Sequence, residues 1–236
     1  MATLFEAWQG VQGRIAAACT ACTRNAAEIS LLAVSKTFPA SDVRALYELG
    51  QRSFGENYAQ ELSDKHTQLA DCTDLIWHFI GPLQSNKTRI VAECADWVHT
   101  VERVKIAERL NAQRPEHLPP LNVCLQVNVS GEASKSGVAP DQVIQLAQAI
   151  AALPRLKLRG LMCIPEATDD EVKLAKQFQL LKQCLAHLIE QGFELDTLSM
   201  GMSSDLELAI ANGTTLVRVG SAIFGARQYS TQQEQQ

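Results

Sequence analysis

Short apolar segments alternate with amphipathic segments along most of the chain, and no other pattern in the sequence narrows the possible folds as much. The apolar segments have the length of β-strands and predict strands at residues 29–34, 52–55, 75–80, 97–100, 121–129, 156–164, 197–200 and 216–219. Helical spacing of apolar residues predicts helices at 4–22, 39–49, 58–69, 87–94, 104–114, 141–153, 171–191 and 204–212. Such strict alternation is typical of parallel sheets.

Eight such strands, each followed by a helix or a helical turn, predict a closed (β/α)₈ TIM barrel in this chain of 236 residues. An open doubly wound sheet is the alternative. It usually has fewer strands and a glycine-rich first turn, whereas residues 34–39 contain no glycine. We expect one barrel domain over residues 1–229. The segment 230–236 is entirely polar and rich in glutamine, and we expect it to be a disordered tail.

Composition and charge exclude several classes of partner. The formal net charge is −5 and the sequence pI is about 5.6, without a Lys/Arg cluster, which argues against a nucleic-acid or anionic-membrane surface. No apolar run approaches the roughly 18 residues of a spanning helix. The first residues lack a basic segment, so we expect no secretory signal.

The seven cysteines are scattered through apolar segments, and their odd number argues against a disulfide framework. Reduced thiols in the core of a cytoplasmic protein are the expected state. Cys19 and Cys22 form a C-x-x-C pair inside a predicted helix, where packed thiols are a better interpretation than a redox or zinc motif. No His, Cys or Asp cluster has metal-ligand spacing, and we expect no metal.

Lys36 directly follows the first predicted strand, and catalytic or binding groups of such barrels lie at the carboxyl ends of the strands. A lysine whose stem lies in apolar surroundings has a lowered pKa, as a Schiff-base lysine needs. A snorkelling surface lysine is the alternative interpretation. Asn57, after the second strand, would lie next to Lys36, although a turn-forming asparagine would look the same.

The loops after the seventh and eighth strands carry small and hydroxyl residues, including Ser203, Gly220 and Ser221. Barrels of this class often bind phosphate at this pair of loops, while an ordinary helix N-cap is the simpler alternative. Asp205 would repel a phosphate unless its side chain caps the helix and points away.

In a closed barrel the eighth strand lies beside the first, so these loops, Arg218 and Lys36 converge on one patch. A phosphorylated aldehyde that forms a Schiff base with Lys36 fits this patch, and pyridoxal 5′-phosphate (PLP) is the first candidate. Arg218 would then face the pyridine nitrogen. Because arginine stays protonated, it would donate to that nitrogen and weaken the ring as an electron sink.

The sequence resembles the pyridoxal-phosphate homeostasis proteins, a family of PLP-binding proteins similar to the alanine racemase N-terminal domain. The resemblance covers about residues 5–229 and rests on long motifs in fixed order. They lie at residues 32–36, 54–58, 77–87, 127–129, 135–137, 159–162, 198–203 and 217–225.

The resemblance implies a fold-type III PLP barrel with PLP bound covalently to Lys36. It assigns the phosphate to Ser203, Gly220 and Ser221, the ring nitrogen to Arg218, and the pocket wall to Asn57. It implies a non-catalytic protein of vitamin B6 and amino-acid homeostasis, and leaves open whether PLP is delivered to apoenzymes or only buffered. Three further motif residues receive no role: His78, Lys87 and Lys135. His78, inside an apolar strand, is best explained as a satisfied barrel residue.

A PLP-dependent racemase is the main alternative. Racemisation needs two bases on opposite faces of the cofactor, and in alanine racemases the second is a tyrosine from a separate domain of the partner subunit. This chain has only Tyr47, Tyr58 and Tyr229, and no residues for such a domain. We therefore expect no enzymatic activity, and a monomer. A Schiff-base aldolase is less consistent, because Lys36 has no neighbouring acid/base carboxylates.

Overall fold

The computed structural model describes residues 3–132 and 135–225. It contains eight strands: β1 Ser30–Val34, β2 Ser53–Glu56, β3 Ile76–Phe79, β4 Trp97–Val101, β5 Leu121–Gln126, β6 Leu156–Met162, β7 Thr197–Ser199 and β8 Leu216–Val219. The α-helices are α1 Leu4–Ala21, α2 Ala40–Glu48, α3 Ala59–Gln68, α4 Thr88–Cys94, α5 Val104–Gln113, α6 Val143–Ala151, α7 Glu171–Glu190, α8 Leu206–Ala211 and α9 Ser221–Phe224.

The strands form a closed parallel barrel in sequence order, and the pairing of β1 with β8 closes it. In that pairing Leu32 lies opposite Arg218 and Ala33 opposite Val219. The predicted (β/α)₈ barrel of the alanine racemase N-terminal type is therefore confirmed, and the open-sheet alternative is wrong.

Alternate residues of each strand face either the barrel interior or the surrounding helices. Leu32, Val34, Ile80 and Leu216 form one apolar cluster inside the barrel. A much larger cluster fills the layer between strands and helices. Successive side chains of a strand therefore lie on opposite sides of the barrel wall, and this alternation decides which groups reach the site.

Several element boundaries differ from the sequence prediction. β5 ends at Gln126 rather than at residue 129, because the Gln126 carbonyl accepts a hydrogen bond from Val138 N in the following loop. A short 3₁₀ turn, Pro140–Gln142, precedes α6, and α8 begins two residues later than predicted. The expected tail at 230–236 lies outside the described residues.

All seven cysteines are described and none is in a disulfide; Cys19, of the C-x-x-C pair, lies in α1 and is buried in the core. In the described segments, no helix is long and apolar enough to cross a membrane. Within those same segments, no group of three or more His, Cys, Asp or Glu side chains is placed to hold a metal ion.

Candidate functional site

A cavity of about 340 Å³ opens at the carboxyl ends of β1, β2 and β8. All six residues that the sequence predicted for a cofactor site line it: Lys36, Asn57, Ser203, Arg218, Gly220 and Ser221. Apolar side chains complete the wall, chiefly Val34, Ile80 and Ile164. The structure therefore brings together an amine, a guanidinium, hydroxyl groups and an apolar surface large enough for a ring.

Lys36 is half-buried. The preceding residue, Ser35, still pairs with the neighbouring strand, because its N–H donates to Gly55 O at 3.0 Å. Because Val34 and Lys36 are separated by one residue, both face the interior side of the wall. Lys36 therefore lines the cavity together with the apolar side chains of Val34 and Ile80.

The two loops that carry the hydroxyl groups are joined to each other and packed against β1. Ala222 N donates to Ser203 Oγ at 3.4 Å. A Cβ added at Gly220 would lie 3.2 Å from Val34 O, a tight contact, so glycine at this position favours the close approach of the loop to the end of β1. The side chain of Asp205 accepts a hydrogen bond from Met202 N and lines a neighbouring cavity. It is therefore held by the loop after β7 and does not cap α8.

Arg218 lies inside the barrel and is 5% exposed. Its Nη1 donates to Ser199 Oγ at 2.7 Å and its Nη2 donates to the Cys163 carbonyl at 2.8 Å. Burial lowers the pKa of Arg218, yet a guanidinium stays protonated at neutral pH. The two contacts occupy two of its five N–H groups and hold a fixed positive charge at the floor of the cavity.

The sequence did not predict a chain of hydrogen-bonded side chains that extends from Arg218 through Ser199 and His99 to His78. Ser199 Oγ lies 2.8 Å from His99 Nδ1, and His99 Nε2 lies 2.9 Å from His78 Nδ1. Ser199 Oγ accepts the hydrogen bond from Arg218, and the tautomers of the two histidines set which atom donates in the Ser199–His99 and His99–His78 contacts. The signal in the sequence that could have found these groups is a polar residue inside each of three predicted strands, β3, β4 and β7.

Both histidines are uncharged at neutral pH. Burial lowers the pKa of His78 to about 3, and it lowers the pKa of His99 well below its usual range, assisted by His78 and Arg218. His78 is only partly the satisfied barrel residue that the sequence predicted, because its Nε2 is buried with no partner among the described residues.

The buried histidines predict a loss of stability in acid. Below its ordinary pKa of about 6.5 the unfolded chain binds a proton at His78, whereas the folded protein does so only near pH 3. The free energy of unfolding should thus fall as the pH drops through this window. Its slope should be about 1.4 kcal/mol per pH unit smaller in His78→Gln. Urea unfolding from about pH 6.5 down to about pH 4 measures both slopes, and equal slopes would contradict the prediction.

Asn57 lines the cavity and has a buried side-chain oxygen. Its Oδ1 has no hydrogen-bond partner among the described residues. The backbone of Asn57 is held by Gly81, where an added Cβ would lie 2.0 Å from Asn57 O. The β3–α4 loop therefore packs directly on this residue, and the unpaired amide oxygen is a polar group that a bound molecule could satisfy.

The sequence is similar to those of known proteins over nearly its whole length. The family model of the alanine racemase N-terminal domain matches residues 13–228. The pyridoxal phosphate homeostasis protein of Pseudomonas aeruginosa PAO1 is 56% identical over 229 residues, which cover 97% of this chain and 98% of that protein. This chain belongs to the pyridoxal phosphate homeostasis protein family.

Solved structures agree with this membership. The structure of PipY from Synechococcus elongatus PCC7942 with PLP bound has a TM-score of 0.80 and 36% identity, covering 91% of this chain and 100% of that chain. Alanine racemase from Corynebacterium glutamicum has a TM-score of 0.68 and 17% identity, and this chain covers 62% of it. The latter likeness shows the fold alone.

The three family-motif residues without a predicted role lie outside the cavity. Lys87 is exposed at the start of α4. Lys135 is half-buried and lines a neighbouring cavity of about 600 Å³. His78 lines a third cavity, which includes residues at the amino ends of the strands. The structure thus separates Lys36 from the other two lysines of the family motifs.

Proposed function

We propose that this chain is a non-catalytic PLP-binding protein that holds PLP on Lys36 as a Schiff base. In that reaction the Lys36 nitrogen bonds to the aldehyde carbon, and the aldehyde oxygen leaves as water. The observation that carries the proposal is the convergence of Lys36, Arg218 and the serine and glycine groups on one cavity. The PLP-bound structure of PipY, a relative of similar length, supports it.

The residues of the cavity fit the groups of PLP one by one. In the proposal, Ser203, Gly220 and Ser221 bind the phosphate, since two joined loops offer hydroxyl groups and close backbone approach there. Arg218 donates to the ring nitrogen with N–H groups that its contacts to Ser199 and Cys163 leave over.

Asn57 completes the fit at the ring edge. Its buried Oδ1 has no partner in the described part of the chain, and the oxygen and nitrogen of an amide exchange places by a simple rotation. The side chain can therefore hydrogen-bond the phenolic oxygen of the ring or the groups around it.

Two features support a binding role over racemisation. Tyr47 cannot serve as the second base, because it donates to Asp74, which precedes β3 at the opposite end of the barrel from Lys36. Tyr58 is exposed and does not line the cavity, and Tyr229 lies outside the described residues. Arg218, fixed in its charged form, leaves the ring nitrogen unprotonated and so weakens the electron sink that PLP enzymes use.

The names of the curated relatives support a role in PLP homeostasis. In this proposal the protein acts in the cytoplasm as a monomer. It keeps the concentration of free PLP low, with consequences for vitamin B6 and amino-acid balance. PLP-dependent apoenzymes are the proposed recipients if the bound PLP is delivered. Loading the protein with PLP, mixing it with an apoenzyme, and comparing activation with free PLP plus a trap distinguishes delivery from buffering.

Titration with PLP tests the proposal. Addition of PLP to the purified protein should produce the visible absorption of a Schiff base, and borohydride should fix the label on Lys36. The same yellow protein should show no racemisation, decarboxylation or transamination of any free amino acid. A protein that stays colourless after PLP is added would contradict PLP binding and would favour the alternative of a Schiff-base aldolase. Turnover that disappears in Lys36→Ala would favour the racemase.

A further inference from the structure

A buried ionic cluster lies on the outer side of the barrel wall, directly behind Lys36. It consists of Glu56 at the end of β2 and of Glu61 and Lys65 on α3. None of the three lines the cavity of the candidate site. Their contacts reach the residues on both sides of Lys36 in the chain, so the cluster and the cavity meet at this one residue.

Ser35, which precedes Lys36, is held by two of the three residues. Its hydroxyl donates to Glu56 Oε1 at 2.6 Å, and its carbonyl accepts from Lys65 Nζ at 2.7 Å. Ser35 and Glu56 are fully buried, and Lys65 is 4% exposed. Because hydrogen bonds to charged groups are stronger where water is excluded, these contacts fix the peptide unit that enters Lys36.

Thr37, which follows Lys36, is held by the third residue. Its backbone N–H donates to Glu61 Oε1 at 2.6 Å. Thr37 has a φ of 69°, in the left-handed region that threonine adopts only when its surroundings impose it. The Glu61 contact therefore helps to hold an unfavourable backbone conformation immediately after Lys36.

Lys65 links the two halves of the cluster. Its ammonium donates to Ser35 O, to Glu56 Oε1 at 2.7 Å and to Glu61 Oε1 at 2.8 Å. An ammonium has three hydrogens, so all are satisfied. Glu56 Oε2 has no partner within the described ranges, and burial raises the pKa of Glu56 to about 7, although Lys65 limits the rise. Glu56 is thus a costly group to bury for stability alone.

We propose that Glu56, Glu61 and Lys65 are positioning residues for Lys36: by holding Ser35 and Thr37 from the outer side of the wall, they direct the Lys36 amine to the position where it meets the aldehyde of PLP. This inference rests on the proposed function. A purely structural ion-pair cluster would stabilise the barrel without favouring the covalent step over non-covalent PLP binding.

Glu61 is the residue to change, because its side chain is 22% exposed and its removal leaves the buried pair of Glu56 and Lys65 in place. Glu61→Ala removes the hydrogen bonds from Thr37 N and from Lys65 Nζ. The loss of the first, which holds the residue after Lys36, should lower the equilibrium constant for Schiff-base formation about tenfold. Non-covalent PLP binding should stay within about twofold of the original protein. Glu61→Gln keeps an acceptor for Thr37 N and should restore most of the covalent fraction.

Two measurements separate the covalent step from binding. Equilibrium dialysis gives total bound PLP, and borohydride reduction followed by peptide mass spectrometry gives the fraction fixed on Lys36. Glu102→Ala is the matched control. Glu102 is 26% exposed, pairs with Arg103 and accepts a hydrogen bond from a backbone N–H, that of Gly137, at 3.1 Å. It should leave the covalent fraction unchanged.

The possible outcomes separate the positioning role of the cluster from the proposed binding of PLP on Lys36. A selective loss of the covalent fraction in Glu61→Ala, rescued by Glu61→Gln, supports positioning. An unchanged fraction, or a parallel loss of covalent and total PLP, overturns it while the proposed function stands. If the original protein forms no Schiff base, both fail. If Glu61→Ala does not fold, Glu61→Asp makes the same comparison, since it keeps the charge but withdraws the carboxylate by one methylene.

Discussion

Lys36→Ala is expected to abolish the visible absorption that PLP produces with this protein and the label that borohydride fixes. The remaining groups of the cavity would still bind PLP without a covalent bond. We expect the apparent affinity to fall on the order of a hundredfold, equivalent to about 2.7 kcal/mol. Absorption spectra during a PLP titration, with peptide mapping after reduction, measure both effects. The fold should survive, because Lys36 is half-buried at the end of a strand and outside both apolar clusters.

Lys87→Ala is the control for Lys36→Ala. Lys87 is an exposed lysine of a family motif that does not line the cavity, so its loss should leave the spectrum and the label unchanged. If Lys36→Ala instead keeps its full label on another lysine, such as Lys135 in the neighbouring cavity, the assignment of the Schiff base to Lys36 is wrong.

Gly81→Ala is expected to produce a large loss of stability. The added Cβ would lie 2.0 Å from the carbonyl oxygen of Asn57 and 2.7 Å from its Cα, both backbone atoms that cannot rotate away. We expect the free energy of unfolding to fall by about 3 kcal/mol and Tm to fall by about 6 to 12 °C. Because the shift displaces Asn57, PLP affinity should fall as well.

Gly10→Ala is the matched control for Gly81→Ala. Gly10 lies on the exposed side of α1, and a Cβ there would have no atom within 4 Å. Since glycine in a helix interior is unfavourable relative to alanine, this change should raise the free energy of unfolding by about 0.5 to 1 kcal/mol. Thermal unfolding of the two variants tests the contrast. A Gly81→Ala protein as stable as the original would show that the β3–α4 loop moves away freely.

The elements were predictable because their signals are local. Strand-length apolar segments and helical spacing depend only on neighbours in the chain. All eight strands occur in the predicted order and overlap the predicted segments. The predicted boundaries were wrong at some ends of strands and helices, because a contact with another part of the chain decides where the element stops. β5 stops at Gln126 because a loop residue twelve positions later takes its hydrogen bond. Such a partner has no signature in the strand itself.

The candidate site was predictable because a closed barrel places the end of β8 beside the end of β1. Once the strands were counted, Lys36 and Arg218 had to lie near each other. The groups behind them were not predictable in the same way. His99 and Ser199 come from different strands, and only the register of the barrel brings them into line with Arg218.

The amino-acid sequence by itself determined the order of strands and helices, the closed parallel barrel, and the six residues that line one cavity. Those features follow from periodicity and from the general rule that loops at the carboxyl ends of the strands carry the site. Only the tertiary structure decided how Arg218 and Asp205 are held, and that Glu61 and Lys65 fix the residues flanking Lys36. These outcomes depend on hydrogen-bond geometry and burial between segments distant in the chain, because the energy of a polar contact is set by partner and solvent exposure rather than by residue type.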